Sequence, residues 1–274
     1  MRGTFRIRRS PVARHAIAEG EGIAMGHPIL ILSALVWELG ALVEAMTDLD
    51  EVEITGCTFR QGMLGGNETV VASVGIGKVN AAMAATLAID RFAPRLLLFT
   101  GVAGGLDPAL RIGDVVVADR VVQHDTGVAG ADGFQPYQPG HLPFFDPTDA
   151  VGYQPSPRLL EEARIALTGL ELDRVLGRTP KLVFGTVATG DQFIESEAER
   201  RRIHETFGAH AVEMEGGAVA QVAAHFGVDH LVIRSLSDLA GSGSEVDFDR
   251  FLSEVSINSI KVVRTLLSAF ETVR

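Results

Sequence analysis

With 274 residues, 46% of them hydrophobic, the chain can bury a large core, and α/β chains of this length often form a single domain. Its 35 acidic and 24 basic residues leave a net charge of −11, which argues against nucleic acid or an anionic membrane as the main partner and favours a small neutral or cationic ligand. The single cysteine, Cys57, excludes an internal disulfide framework and a multi-cysteine metal site and agrees with a reducing cytoplasm; no apolar run approaches the roughly 20 residues of a membrane-spanning helix.

Residues 1–24 differ from the rest: they carry five arginines (Arg2, Arg6, Arg8, Arg9 and Arg14), no acid before Glu19 and no sustained apolar segment, so they do not read as a secretory signal. Residues 1–27 are therefore expected to be a basic, disordered N-terminal extension, and 28–274 a single domain. From there apolar runs at 29–35, 70–77, 96–105, 114–122, 182–190 and 230–238 read as strands, with a further strand running into Glu213. Several are apolar on both faces, as in a sheet covered on both sides. Helical patterns fall at 36–46, 78–92, 156–170 and 196–207, in a small-residue segment after Glu215, and from about Asp247 to Val273. The order predicts an α/β fold, a three-layer α/β/α sandwich around a mixed central sheet. The irregular stretch 124–157, rich in Gly, Pro and aromatics, is long enough to be functional or to cover a neighbour.

Ligands of such sheets gather at the carboxyl ends of the strands. Those ends carry Glu38, the glycine-rich 101–105, Thr189-Gly190-Asp191 followed by Phe193 and Ile194, then Glu213, Met214 and Glu215, and finally Arg234, Ser237 and Asp238. Several carboxylates, an arginine and an aromatic converging on one place suit the breaking of a glycosidic bond, with one carboxyl as acid on the leaving group and one as base on water. Glu213 and Glu215 stand one residue apart where a strand gives way to a helix, so only one of them need face the ligand.

Six motifs occur in order: SALVWEL at 33–39, GIGKVNAA at 75–82, TGVAGGL at 100–106, TGDQFI at 189–194, VEMEGGA at 212–218 and RSLSD at 234–238. Through them the chain, from Pro28 on, resembles the nucleoside phosphorylase and hydrolase superfamily, and within it the 5′-methylthioadenosine/S-adenosylhomocysteine nucleosidases. That resemblance implies a nucleoside phosphorylase-like fold, a homodimer without metal or bound cofactor, and hydrolysis of adenine thionucleosides in the cytoplasm during methionine salvage. It implies that Glu38 is the base that activates water and Asp238 the acid that protonates N7 of the departing purine. Glu215 would accept hydrogen bonds from the ribose hydroxyls while Met214 packs on the sugar, leaving Glu213 as a neighbour without an assigned role. Phe193 would stack on the purine, Ile194 would meet the base edge through its backbone, and Gly104 would also contact substrate. Ser237 would orient Asp238, Arg234 would hold Glu38 or the water, and Phe248 would close over the 5′-thio group.

Two departures stand out. Val102 occupies a position where the family usually has a hydroxyl residue, and Trp37 one where better-known members carry an acid. Three rival readings stay open: a phosphorylase of the same fold, a hydrolase of another purine nucleoside such as futalosine or AMP, and a non-catalytic nucleoside binder.

Overall fold

The computed structural model describes residues 27–131 and 133–270. The basic extension expected at residues 1–27 therefore lies, apart from His27, outside the described residues. In chain order the elements are β1 (Ile29–Ser33), a 3₁₀ turn (Val36–Leu39), α1 (Gly40–Val43), β2 (Thr47–Ile54), β3 (Cys57–Leu64), β4 (Asn67–Ser73), α2 (Lys78–Phe92) and β5 (Leu96–Gly105). Then follow β6 (Val115–Gln123), β7 (Gly127–Gly130), β8 (Gly133–Pro136), α3 (Pro157–Leu167), β9 (Leu182–Thr189), α4 (Glu197–Phe207), β10 (Ala209–Glu213), α5 (Gly216–Phe226), β11 (Asp229–Asp238) and α6 (Ser244–Ala269).

The expected mixed central sheet is present, with nine strands in the order β10-β9-β6-β11-β5-β1-β4-β3-β2. One end curls back on itself: β10 also pairs antiparallel with β5, Ala211 opposite Gly105 and Val212 opposite Gly104, so five strands close into a ring. As expected of the run 96–105, the glycine-rich segment is part of strand β5, and Gly104 and Gly105 form this second pairing.

Both faces of the sheet are covered. On one face α2 and α5 pack together, with Ala81, Ala84, Ala85 and Ala88 of α2 at helical spacing and Ala218, Ala220 and Ala223 of α5 buried in the same core. Side chains this small let helix backbones approach closely, and the large apolar strand residues such as Leu97 and Phe99 fill the layer beneath them. The opposite face is covered by α3 and α6, with Leu159, Val262, Val263 and Leu266 against Ile29, Ile31, Leu98 and Ile233. Ser156 starts α3 by accepting the Leu159 N–H at 3.2 Å.

Four details differ from the sequence reading. Residues 36–46 form a 3₁₀ turn and a single helical turn rather than one helix, because the chain must reverse at once to bring Glu38 back over the end of β1. The β2–β3 hairpin was not anticipated: β2 (TDLDEVEI) is an exposed edge strand with four acids, without the apolar run by which inner strands are recognised. The irregular stretch 124–157 contains a small hairpin, β7–β8. Helix α6 starts at Ser244, ahead of the expected Asp247, and its expected end at Val273 lies outside the described residues.

Candidate active site

A cavity of about 200 Å³ opens where the carboxyl ends of β1, β5, β9, β10 and β11 meet. Glu38, Gly104, Phe193, Ile194, Met214, Glu215, Arg234, Ser237 and Asp238 all line it, so nine of the ten residues proposed from sequence come together. The tenth, Phe248, belongs to the first part of α6, and its side chain is not among those described.

Glu38 is buried, and the turn after β1 aims it inward. Its Oε2 accepts the Ser33 hydroxyl and the Leu35 N–H at 3.0 Å, while Oε1 accepts the Val102 N–H at 3.0 Å. Burial raises its pKa above the ordinary carboxylate value, against the lowering effect of Ser33, the Arg234 charge and the two backbone donors. A carboxylate that holds its proton more tightly than usual is a better base near neutral pH. The Val102 side chain lies against Val175, Phe251 and Val255, so the position that is usually polar in the family here joins a small apolar cluster, and its backbone N–H makes the polar contact.

The two glutamates at the β10–α5 junction both line the cavity but keep different partners. Glu213 closes β10 and turns into the protein: its Oε1 accepts the Thr189 hydroxyl, and its Oε2 accepts the Gly216 N–H at 2.7 Å and an Arg234 N–H. Glu215, just before α5, has Oε1 on the Gly77 N–H at 2.8 Å and Oε2 3.8 Å from Arg234 Nη2. Its pKa is pushed up to about 7, chiefly by burial and next by the Glu213 charge. Arg234 is 1% exposed, lies over the Phe99 ring at 4.3 Å, and forms its ion pairs with Glu213 and Glu215. The expected direct hold of Arg234 on Glu38 is absent, because the Glu213 carboxylate captures the guanidinium first. Arg234 and Glu38 instead face each other across Gly101, where a Cβ would stand 2.3 Å from Arg234 Nη1 and 2.9 Å from Glu38 Oε1. Only glycine leaves room for both.

Asp238, at the end of β11 and 3% exposed, lines the same cavity. Its Oδ2 accepts the Ser237 hydroxyl at 2.9 Å, the orienting contact expected of that serine, and its Oδ1 accepts the Ala240 N–H at 2.8 Å. These donors favour the charged form, yet burial prevails and raises the pKa, so the group is biased toward holding a proton. Gly104 is needed beside it, since a Cβ there would meet Asp238 Oδ1 at 2.8 Å. Ile194 anchors the next stretch in the core with Leu106, Ile203 and Phe207, whereas its neighbour Phe193 is 49% exposed at the mouth. The sequence places Thr189 among the strand-end residues and Ser33 at the head of a motif but assigns neither a role in the site. The signal for both was their position, as the last residue of a buried strand leading into a cavity-facing motif.

The start of α2 bears on what the cavity can bind. The first N–H groups of a helix commonly hold a phosphate. Here the Gly77 N–H binds Glu215 and the Lys78 N–H binds Asp191 Oδ1 at 2.8 Å, while Lys78 Nζ pairs with Asp125 at 2.7 Å. That helix start is already filled with carboxylates.

The family model of the phosphorylase superfamily matches residues 28–268. The 5′-methylthioadenosine/S-adenosylhomocysteine nucleosidase of Mycobacterium tuberculosis is 46% identical over 243 residues, which are 86% of this chain and 95% of that protein. The chain belongs to the phosphorylase superfamily, among its 5′-methylthioadenosine/S-adenosylhomocysteine nucleosidases. The fold agrees: the nucleosidase of Neisseria meningitidis in complex with methylthio-immucillin-A superposes with a TM-score of 0.78 at 30% identity, covering 89% of this chain and 100% of that one. The nucleosidase of Colwellia psychrerythraea in complex with adenine gives 0.77 at 35% identity, covering 90% and 97%. Among the described residues of this nucleosidase-family chain, no helix is long and apolar enough to cross a membrane.

Proposed function

We propose that the protein hydrolyses the N-glycosidic bond of adenine thionucleosides, 5′-methylthioadenosine and S-adenosylhomocysteine, to adenine and the thioribose, as a cytoplasmic homodimer in methionine salvage. One observation carries the reading: two buried carboxyl groups from different strand ends, Glu38 and Asp238, line one cavity, each with its pKa raised by burial. Asp238 gives its proton to N7 of the purine as the C1′–N9 bond breaks, so adenine leaves neutral and the sugar becomes oxocarbenium-like. Glu38 takes a proton from water as the water oxygen bonds to C1′. The proton lost by Asp238 and the one gained by Glu38 return to solvent balance when the products leave.

The other residues hold the substrate in that geometry. Glu215 Oε2 accepts the ribose hydroxyls, and Met214 packs on the sugar. Phe193 covers the purine, the backbone of Ile194 meets its edge, and Gly104 leaves room beside Asp238. Ser237 orients Asp238, and the Arg234 charge helps keep Glu38 ionised.

Water rather than phosphate is the nucleophile, because the α2 start carries Glu215 and Asp191 and the cavity around Glu38 offers Leu35, Val102 and another carboxylate in place of a cationic cradle. The test is to incubate the protein with methylthioadenosine, S-adenosylhomocysteine, 5′-deoxyadenosine and inosine, with and without phosphate, and to identify the products. Adenine and free thioribose formed at a rate independent of phosphate are expected. Ribose-1-phosphate products would make it a phosphorylase, and binding without turnover a nucleoside binder.

A further inference from the structure

The proposed reaction assigns no part to Glu213, buried in the cavity wall, or to Thr189, buried behind it and donating to it. Every oxygen of this pair is engaged by the protein. Thr189 Oγ1 accepts the Gly217 N–H at 2.7 Å and donates to Glu213 Oε1; Glu213 Oε2 accepts the N–H of Glu215 at 3.2 Å, that of Gly216 at 2.7 Å, and Arg234 Nη2. The far side of the guanidinium rests on Phe99 and borders Gly101, and Arg234 Nε has no hydrogen-bond partner among the described residues. Glu213 is thus the direct polar tether of a cation that two other carboxylates also attract: Glu215, 3.8 Å away, and Glu38 across Gly101.

We propose that Glu213, itself held by Thr189, is a positioning residue that keeps the Arg234 guanidinium off Glu38 and no nearer than 3.8 Å to Glu215, so that it closes a hydrogen-bonded ion pair with neither the base nor the ribose-binding carboxylate. This rests on the hydrolase reading above. Without the tether the buried cation would move onto whichever carboxylate it could reach, since an unpaired buried charge is costly. A Glu38 in direct contact with Arg234 is a weaker base, and a Glu215 so paired is a poorer acceptor of ribose hydroxyls. The charged and titratable groups that bear on this point are Glu38 from the 3₁₀ turn, Glu213 and Glu215 from the β10–α5 junction, and Arg234 and Asp238 from β11. Around the start of α2 lie Lys78, Asp125 and Asp191. The Glu213 charge raises the Glu215 pKa and Arg234 lowers it, so removing the tether moves both influences in one direction.

Glu213→Gln keeps the shape and removes the charge, Thr189→Val removes the hydroxyl, and Thr189→Ser restores it. Each is measured for methylthioadenosine hydrolysis across the acid limb of the pH profile, and for side-chain carboxyl titration by NMR in ¹³C-glutamate-labelled protein. Glu213→Gln is expected to lower kcat about tenfold or more while KM changes less, as a displaced catalytic group does, and to move the acid limb and the slowest-titrating glutamate down by about one pH unit. Thr189→Val should repeat the loss in kcat, and Thr189→Ser should recover most of it. An active Glu213→Gln whose acid limb and carboxyl titrations match wild type would overturn the proposal and leave Glu213 a packing brace. Should the wild type release no adenine, it is the hydrolase reading that fails, and the titration alone then decides: the same downward shift upholds the tether, and no shift overturns it.

Discussion

Glu215 shows how one environment sets both chemistry and stability. A carboxyl whose pKa rises to about 7 on folding, from an ordinary 4.5, binds its proton more tightly in the native state than in the unfolded chain. Its contribution to stability is therefore complete below the unfolded pKa and is lost as pH rises toward and through 7. Glu38 and Asp238, also raised, act with the same sign. The ligand-free protein should lose thermal stability between about pH 5 and pH 8, and Glu215→Gln, which cannot ionise, should lose distinctly less over that range. Equal slopes for the two proteins in thermal melts would remove Glu215 as a cause. The residue types of this cluster were legible in the sequence, because strand-end carboxylates are conspicuous. Their division of labour was not: whether Glu213 or Glu215 meets the ligand depends on Thr189, Arg234 and the Gly77 N–H, which lie 24, 21 and 138 residues away from their partners.

At the scale of elements, recognition followed burial. Strands β1, β5, β6, β9 and β11 announce themselves as apolar runs because both their faces are covered. The edge strand β2 is hidden by its acids, and the closure of the sheet through β10 and β5 rests on a pairing between distant segments that no local pattern encodes. Where local signals exist they have measurable weight. Ser156 caps α3, accepting from Leu159 and bonding both its own N–H, at 2.9 Å, and its hydroxyl to Asp229 at the start of β11, so it ties a helix of one layer to the sheet. Ser156→Ala should cost about 1 kcal/mol or more, a fall in Tm of at least roughly 2–4 °C for a chain of this size, with adenine release unchanged. A Tm within error of wild type would mean that the cap adds nothing beyond water.

The whole molecule leaves large apolar side chains exposed: Val36 and Trp37 at 64%, with Ile76, Val79, Phe144 and Phe145 also uncovered. Exposed apolar surface of this kind usually marks an interface; Val36 and Trp37 share the 3₁₀ turn of Glu38, the catalytic base of the proposed reaction, and Ile76 lines the cavity itself. Light scattering at micromolar concentration should give twice the chain mass, and Trp37→Glu should shift it toward the monomer with loss of activity; a fully active monomer would contradict an interface that completes the site. The central claim is sharper still, that a proton held by Asp238 is delivered to the leaving purine. Asp238→Asn keeps the size of the side chain and an acceptor oxygen for the Ala240 N–H, turns an amide donor toward Ser237, and has no proton to deliver. The decisive measurement is single-turnover adenine release from methylthioadenosine by Asp238→Asn against wild type, without phosphate, alongside the binding of the same nucleoside. The expected result is a fall in rate by about 10² to 10⁴ with far weaker effect on binding; a folded Asp238→Asn protein releasing adenine at nearly the wild-type rate would contradict it.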